Sequence, residues 1–272
     1  MTLTGNGTSY EALRVLAVEA AREAGDWLAS QFGDRIATTP KGDDSLVTEL
    51  DVQSEAMITA RIRSLYPEHT VIGEESSPHA ARSGWAWAVD PIDGTRNFAS
   101  GVPVWAVSVA AMEEGRPVAA AAYLPAVGEM FEAAEGGGAR LNGRTLRVSD
   151  TQQLADAVVM TDLLPKGHPD QLSPEVLAGL IAAARRTRML GSVCAGMCYT
   201  AAGRFDVYYR PLLSVWDVAA GVLLVREAGG VVRSFSGDDW HANTSSVLAA
   251  NGTLVKQLLA EHNRLEQKHP AH

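Results

Sequence analysis

Residues 85–95 read Trp85-Ala86-Trp87-Ala88-Val89-Asp90-Pro91-Ile92-Asp93-Gly94-Thr95. The first five are apolar and read as a short strand, after which the run breaks into Asp-Pro and Asp-Gly, both turn-forming pairs. Two readings compete. In one, the segment ends in an ordinary solvated turn. In the other, the strand delivers two carboxylates to a cation pair, three residues apart, with a proline fixing the backbone between them. The Ile92 carbonyl is then available as a further oxygen ligand, and hard oxygen donors of this kind select Mg²⁺ over zinc. The Gly94 and Thr95 amides, if they open a short helix, face a bound phosphate oxygen.

Upstream, Gly73-Glu74-Glu75 closes an apolar strand expected at 70–73. Adjacent strand ends can place Glu74 beside Asp90. Further upstream lies Lys41-Gly42-Asp43-Asp44-Ser45-Leu46-Val47-Thr48-Glu49-Leu50-Asp51. A helix is expected after Thr48, with Ala56, Met57, Ala60 and Leu65 along one side. Downstream, Trp216-Asp217-Val218-Ala219-Ala220-Gly221 puts Asp217 at a helix N-terminus whose small residues permit close packing. Taken singly, each segment also fits a plainer use as an acidic loop tip or a helix cap. Taken together, Asp51, Glu74, Asp90, Asp93 and Asp217 would crowd one cleft. Their repulsion would cost several kcal/mol, a cost that divalent cations offset while attracting a phosphate dianion.

The surrounding periodicity sets the architecture. Leu13, Leu16, Ala17, Ala20, Ala24, Trp27 and Leu28 recur at helical spacing over residues 10–31. Strands follow at 104–112, 118–123 and 129–132, and Asn142-Gly143 marks a tight hairpin between strands at 139–141 and 146–148. The second half alternates. Strands are expected at 157–161, 188–190, 205–209, 231–234 and 247–250, and helices at 174–185, 193–202, 216–228 and 253–268. A strand meander followed by alternation implies an α/β layered fold of stacked sheets with helices between and outside them. One domain over residues 1–272 is expected, with an N-terminal metal-binding half at about 9–150 and a C-terminal α/β half at about 151–265.

Composition narrows the function. Of 272 residues, 46% are apolar and 20% charged, the profile of a soluble globular chain. The formal charge of −9, from 32 acidic and 23 basic residues, argues against a nucleic-acid polymer as partner. No apolar run approaches the roughly 20 residues that span a bilayer, and residues 1–10 lack the pattern of a signal peptide. A cytoplasmic location without membrane attachment is therefore expected. Cys194 and Cys198 read as small core residues, since two cysteines one helical turn apart cannot frame a disulfide scaffold. No Gly-x-Ser-x-Gly elbow, P-loop or His-Glu-x-x-His occurs.

The motifs Gly73-Glu74-Glu75, Asp90-Pro91-Ile92-Asp93-Gly94-Thr95 and Trp216-Asp217-Val218-Ala219-Ala220-Gly221, in this order and separation, resemble those of the inositol monophosphatase family. The likeness runs from about residue 10 to residue 260. It implies a five-layered α-β-α-β-α sandwich of the sugar-phosphatase type, usually a homodimer, and a Mg²⁺-dependent, lithium-sensitive phosphatase using two or three ions. By this resemblance Glu74, Asp90 and the Ile92 carbonyl hold one ion, and Asp90, Asp93 and Asp217 a second. Glu74 helps hold a third through water. Asp51 and Thr95 orient or deprotonate the attacking water, and Gly94 and Thr95 steady the phosphate. Gly191, Ser192 and Val193 match positions lying against the substrate, and Lys41 falls on a loop near the mouth of the site. The implied substrate is the phosphate monoester of a small polyhydroxylated metabolite, an inositol or sugar phosphate.

Arg210 departs from that pattern, because inositol-specific members carry a glutamate there to accept hydrogen bonds from substrate hydroxyls. An arginine only donates and prefers carboxylate or phosphate. If it faces the substrate, a second anionic group on the substrate gains. The run Asp93-Gly94-Thr95-Arg96-Asn97-Phe98 followed by Gly101-Val102-Pro103-Val104-Trp105 is similar to members that hydrolyse histidinol phosphate. Lys41, Asp43 and Val47-Thr48 occur also in members acting on 3′-phosphoadenosine nucleotides. Both are alternative substrates, and a catalytically silent metal-binding module is the non-enzymatic alternative.

Overall fold

The computed structural model describes residues 9–33, 38–40, 46–76, 84–162 and 174–268; Lys41 and Asp43 lie outside them. The Ser9 hydroxyl accepts the Ala12 amide (3.2 Å) and starts α1 (Tyr10–Gln31), whose buried stripe of Leu13, Leu16, Ala17, Ala20, Ala24 and Leu28 repeats the helical spacing of the sequence. A short antiparallel pair, β1 (Thr39–Pro40) and β2 (Leu46–Val47), leads to α2 (Glu49–Leu65). Then come β3 (Thr70–Gly73), β4 (Trp85–Asp93), the five-residue α3 (Thr95–Ala99), β5 (Ala106–Glu113), β6 (Arg116–Leu124), β7 (Glu129–Ala134), β8 (Gly138–Leu141) and β9 (Arg144–Thr145). Strands β3 to β9 form one seven-stranded sheet in chain order, parallel only between β3 and β4.

The second half supplies β10 (Val158–Met160), α4 (Pro174–Ala183), β11 (Arg186–Arg188), α5 (Val193–Ala201), β12 (Val207–Arg210), α6 (Val215–Glu227), β13 (Val231–Arg233), β14 (Val247–Ala250) and α7 (Gly252–Lys268). Its five-stranded sheet has the order β11-β10-β12-β14-β13, with β10 parallel to both of its neighbours. Helices α1 and α2 cover the outer face of the large sheet, and α4 and α7 the outer face of the small one. Helices α5 and α6 lie between the sheets, packed on both. Five layers result, α-β-α-β-α, as the resemblance implied.

Coverage on both faces explains the composition of the strands. In β6 the residues from Val118 to Leu124 are all buried, and the alanines at 119–122 let α1 and α6 approach from opposite sides. The Asn142-Gly143 hairpin forms where expected, with φ of 48° and 79° at its two central residues and Leu141 opposite Arg144. Its second strand, however, covers only 144–145. The Val148 amide leaves the sheet for the Ala228 carbonyl at the end of α6 (3.1 Å), so the strand expected at 146–148 does not form. The strand expected at 188–190 is shifted to Arg186–Arg188, because parallel pairing sets Arg188 against Met160. Among the described residues no helix is long and apolar enough to cross a membrane.

Candidate active site

Gly73 stands opposite Val89, and the Glu74 amide continues that ladder to the Val89 carbonyl (3.3 Å). Glu74 and Asp90 therefore emerge from neighbouring parallel strand ends. The chain does not turn at Asp90, as the Asp-Pro pair led one to expect; β4 continues through Asp93. Its register against β5 shifts between Asp90 and Asp93, an irregularity that re-aims side chains, and both carboxylates are buried.

Glu55, which sequence reading passed over, clamps the loop that carries Glu74. It is buried, and its Oε2 accepts the Glu75 amide (2.8 Å). A Cβ on Gly73 would lie 2.2 Å from its carboxyl carbon. Gly73→Ala is therefore expected to destabilise the fold by about 1–3 kcal/mol, the usual cost of overpacking, and to lower turnover by displacing Glu74. Thermal melts and steady-state kinetics of this variant check both. An unchanged melting temperature would show that Glu55 does not hold this loop.

Asp51 and Thr95 meet. Thr48 and Asp51 form a reciprocal cap at the start of α2, in which Asp51 Oδ2 accepts the Thr48 amide (2.8 Å) and hydroxyl (2.6 Å). That leaves Asp51 Oδ1, which lies 3.2 Å from the Thr95 hydroxyl; the same hydroxyl is 3.0 Å from the Ile92 carbonyl. With one proton and two acceptors in reach, the hydroxyl is shared between a carboxylate and the carbonyl proposed as a ligand. Gly94, which precedes α3, has φ of 91°, and a Cβ there would stand 3.1 Å from the Val104 carbonyl.

Asp93 is already engaged. Its carboxylate accepts the Ser192 hydroxyl and the amides of Val193 and Cys194 (both 3.0 Å), all at the N-terminus of α5. Ser192 and Val193 are buried and spend these groups on Asp93, whereas Gly191 is exposed and donates its amide to Asp162 Oδ1 (2.9 Å). Asp217 is half-buried in the first turn of α6, its Oδ2 accepting the Ser214 amide (2.7 Å). Arg210, at the end of β12, has Nη1 3.7 Å from Asp162 Oδ2. Asp162 was missed in sequence reading. The signal was present, an apolar strand ending in an acid as at Asp90, but without a motif around it.

The carboxylates feel one another. Burial pushes Asp90 well above the usual carboxylate range, and repulsion from Glu74, Asp93, Asp217 and Asp51 adds to it. Burial raises Asp217 to about 7, with Glu74 and Asp93 raising it further and the Ser214 amide and Arg210 opposing. Burial raises Asp93 to about 6, against the pull of Ser192, Val193, Cys194 and Arg210. Asp51 is raised by burial too, with the Thr48 hydrogen bonds opposing.

Asp90 Oδ1 is buried without a hydrogen-bond partner. An unpaired carboxylate oxygen amid four like charges fits a cation, and the donors are oxygens throughout, which suits Mg²⁺. Among the described residues, no three acidic, histidine or cysteine side chains converge closely enough to form a finished cage by themselves.

A family model described as inositol monophosphatase family matches residues 9–268. A protein of Escherichia coli (strain K12) named Nus factor SuhB is 38% identical over 90% of this chain and 93% of its own. Among solved structures, an inositol monophosphatase from Anabaena (Nostoc) sp. PCC 7120 superposes with a TM-score of 0.84 at 31% identity, covering 94% of this chain and 96% of that one. The extragenic suppressor protein suhB from Bartonella henselae superposes with a TM-score of 0.85 at 31% identity, covering 93% of this chain and 99% of that one.

Proposed function

The chain belongs to the inositol monophosphatase family, and on that premise we propose that it is a Mg²⁺-dependent phosphatase acting on the phosphate monoester of a small polyhydroxylated metabolite. The observation that carries this reading is Asp90, a buried carboxylate with one oxygen unpartnered and four acidic neighbours acting on it. Glu74, Asp90 and the Ile92 carbonyl would hold one ion, and Asp90, Asp93 and Asp217 another. Bound there, Mg²⁺ supplies charge for the phosphate and the leaving oxygen and lowers the pKa of water.

The chain's own groups do the rest. Asp51, with one oxygen free of the helix cap, accepts a proton through the Thr95 hydroxyl and aims the attacking water. The Gly94 and Thr95 amides steady the phosphate. Asp93 is held by α5, so it presents its remaining lone pairs in a fixed direction. Glu55 keeps Glu74 in place. The same reading takes the active protein as a cytoplasmic homodimer of one domain whose partner is a small molecule.

The measurement is phosphate release with Mg²⁺ from a panel of inositol phosphates, histidinol phosphate, adenosine bisphosphate, nucleoside monophosphates and fructose bisphosphate. Release is expected from at least one monoester and is expected to vanish in EDTA. Release from none, or release indifferent to EDTA, would overturn the reading. The name Nus factor carried by the relatives raises a second reading, a binding role on the same fold. A chain that binds Mg²⁺ yet turns over no phosphate would favour it.

A further inference from the structure

Asn97 lies in α3, just past Thr95, and the proposed chemistry gives it no part. Its Nδ2 donates to the Val104 carbonyl (2.7 Å), on the loop that returns to the large sheet. It also donates to the Leu190 carbonyl (2.7 Å), on the turn that leads from the small sheet into α5. A carboxamide nitrogen carries two hydrogens, and these short bonds use both; the Gly191 carbonyl at 3.4 Å is a weaker contact. Two facing carbonyls also settle which end of the side chain is the nitrogen, since its oxygen could satisfy neither. The 190–191 turn is gripped from the other side as well, where Asp162 Oδ1 accepts the Gly191 amide at 2.9 Å. Gly191 has φ of 70°, and a Cβ there would lie 3.3 Å from the Asn97 carboxamide, so the turn packs directly on Asn97. Behind this turn α5 begins, and its first residues hold Asp93. Helix α5 in turn packs closely on α6, where a Cβ on Gly221 would lie 2.4 Å from that of Met197, and the first turn of α6 carries Asp217.

We propose that Asn97 is a positioning residue that sets the span between the carboxylates of β4 and Asp217, and thereby the affinity of the second ion site. The inference rests on the phosphatase reading and adds to it a residue outside the ligand set. Donors to the first ion, Glu74, Asp90 and the Ile92 carbonyl, come from β4 and the end of β3, whose separation the strand pairing fixes. Donors to the second, Asp90, Asp93 and Asp217, straddle β4 and α6, which no strand ladder joins. Their span depends on what ties α5 and α6 to β4. Asp93 is one tie, made through its own carboxylate. Asn97 is another, and it spends none of a ligand's lone pairs. Mg²⁺ demands near-ideal octahedral geometry, so a small shift of α6 is felt at the second site and not at the first.

The test is a calorimetric Mg²⁺ titration of the wild type, Asn97→Ala and Asn97→Ser, with the melting temperature of each in EDTA and its turnover of p-nitrophenyl phosphate. In Asn97→Ala one class of ion site is expected to keep its wild-type affinity. The other is expected to weaken about ten- to a hundredfold, the usual effect of removing a group that orients metal ligands. Turnover should then need correspondingly more Mg²⁺. KM for p-nitrophenyl phosphate at saturating Mg²⁺ should not change, because the Gly94 carbonyl still accepts the Phe98 amide (3.0 Å) and closes α3. Asn97→Ser keeps a hydroxyl that can serve one carbonyl, should fall between the other two, and guards against an alanine variant that does not fold. Equal weakening of every ion site, weakening of none, or loss of folding in both variants would each overturn the proposal. A wild type that binds no Mg²⁺ and releases no phosphate sinks the phosphatase reading first, and this one with it. A wild type that does both, beside variants that match it, sinks only the role given to Asn97.

Discussion

Asp90→Asn is expected to lower Mg²⁺-dependent phosphate release by about a thousandfold or more and, in the same protein, to raise the melting temperature measured in EDTA by several degrees. The two effects have one cause. Asp90 is buried, carries an oxygen without a partner, and sits where Glu74, Asp93, Asp217 and Asp51 all repel its charge. In the metal-free protein that charge is a liability, and an amide of the same shape removes it. In the working protein the same oxygen would hold cations whose stabilisation of transition-state charge is worth several kcal/mol, at tenfold in rate per about 1.4 kcal/mol. Active sites that trade stability for function show this opposition. Activity retained within tenfold would remove Asp90 from the metal-binding role. A melting temperature that falls in EDTA would show that its charge is compensated by a group other than those named.

Mg²⁺ should stabilise the protein far more at pH 8 than at pH 6.5. Asp217 is raised to about 7 and Asp93 to about 6, above the unfolded carboxylate range near about 4. Between those values the folded state binds more protons than the unfolded state. Stability of the metal-free protein therefore rises as pH falls through about 7 and then about 6, and the repulsion between Asp93 and Asp217 grows as pH rises through the same range. A cation that replaces those protons has most to offset at pH 8 and least where protons are already bound. At a concentration a hundred times Kd, binding contributes about 2.7 kcal/mol, or roughly 5–10 °C for a chain of this size.

His69 and His262 work in the opposite direction, because burial lowers both, so their contribution is lost as pH falls below the unfolded value of about 6.5. The comparison is therefore confined to pH 6.5–8, by scanning calorimetry in EDTA and in excess Mg²⁺. An Mg²⁺ shift of equal size across that window would mean that the raised carboxylates are not its ligands.

Local pattern carried a large part of this far. Apolar runs that end in Glu74 and Asp90, and a Thr-x-x-Asp cap at Thr48 and Asp51, are short-range signals, and the strands and helix starts they imply formed. The layering followed as well, because strands without an alternating polar face, such as Val118–Tyr123, need helices on both sides. Where local pattern met a competing long-range partner, it failed. Val148 abandons its hairpin for the Ala228 carbonyl, and Asp90-Pro91 is drawn into a strand that two neighbours hold in place.

The strand that leads to Glu74, the strand that carries Asp90 and the helix starts that carry Asp51 and Asp217 were determined by the sequence alone, since these depend on residue type and near neighbours. Only the tertiary structure decided how each acid is spent. Asp93 is bound by a helix start 99 to 101 positions away, Glu55 by the glycine loop it supports, and Asp162 by the Gly191 amide. A carboxylate at a strand end looks the same in sequence whether it faces a cation, an amide or a guanidinium. Burial and the groups packed against it set its charge and its free lone pairs, and those come from parts of the chain that meet only on folding.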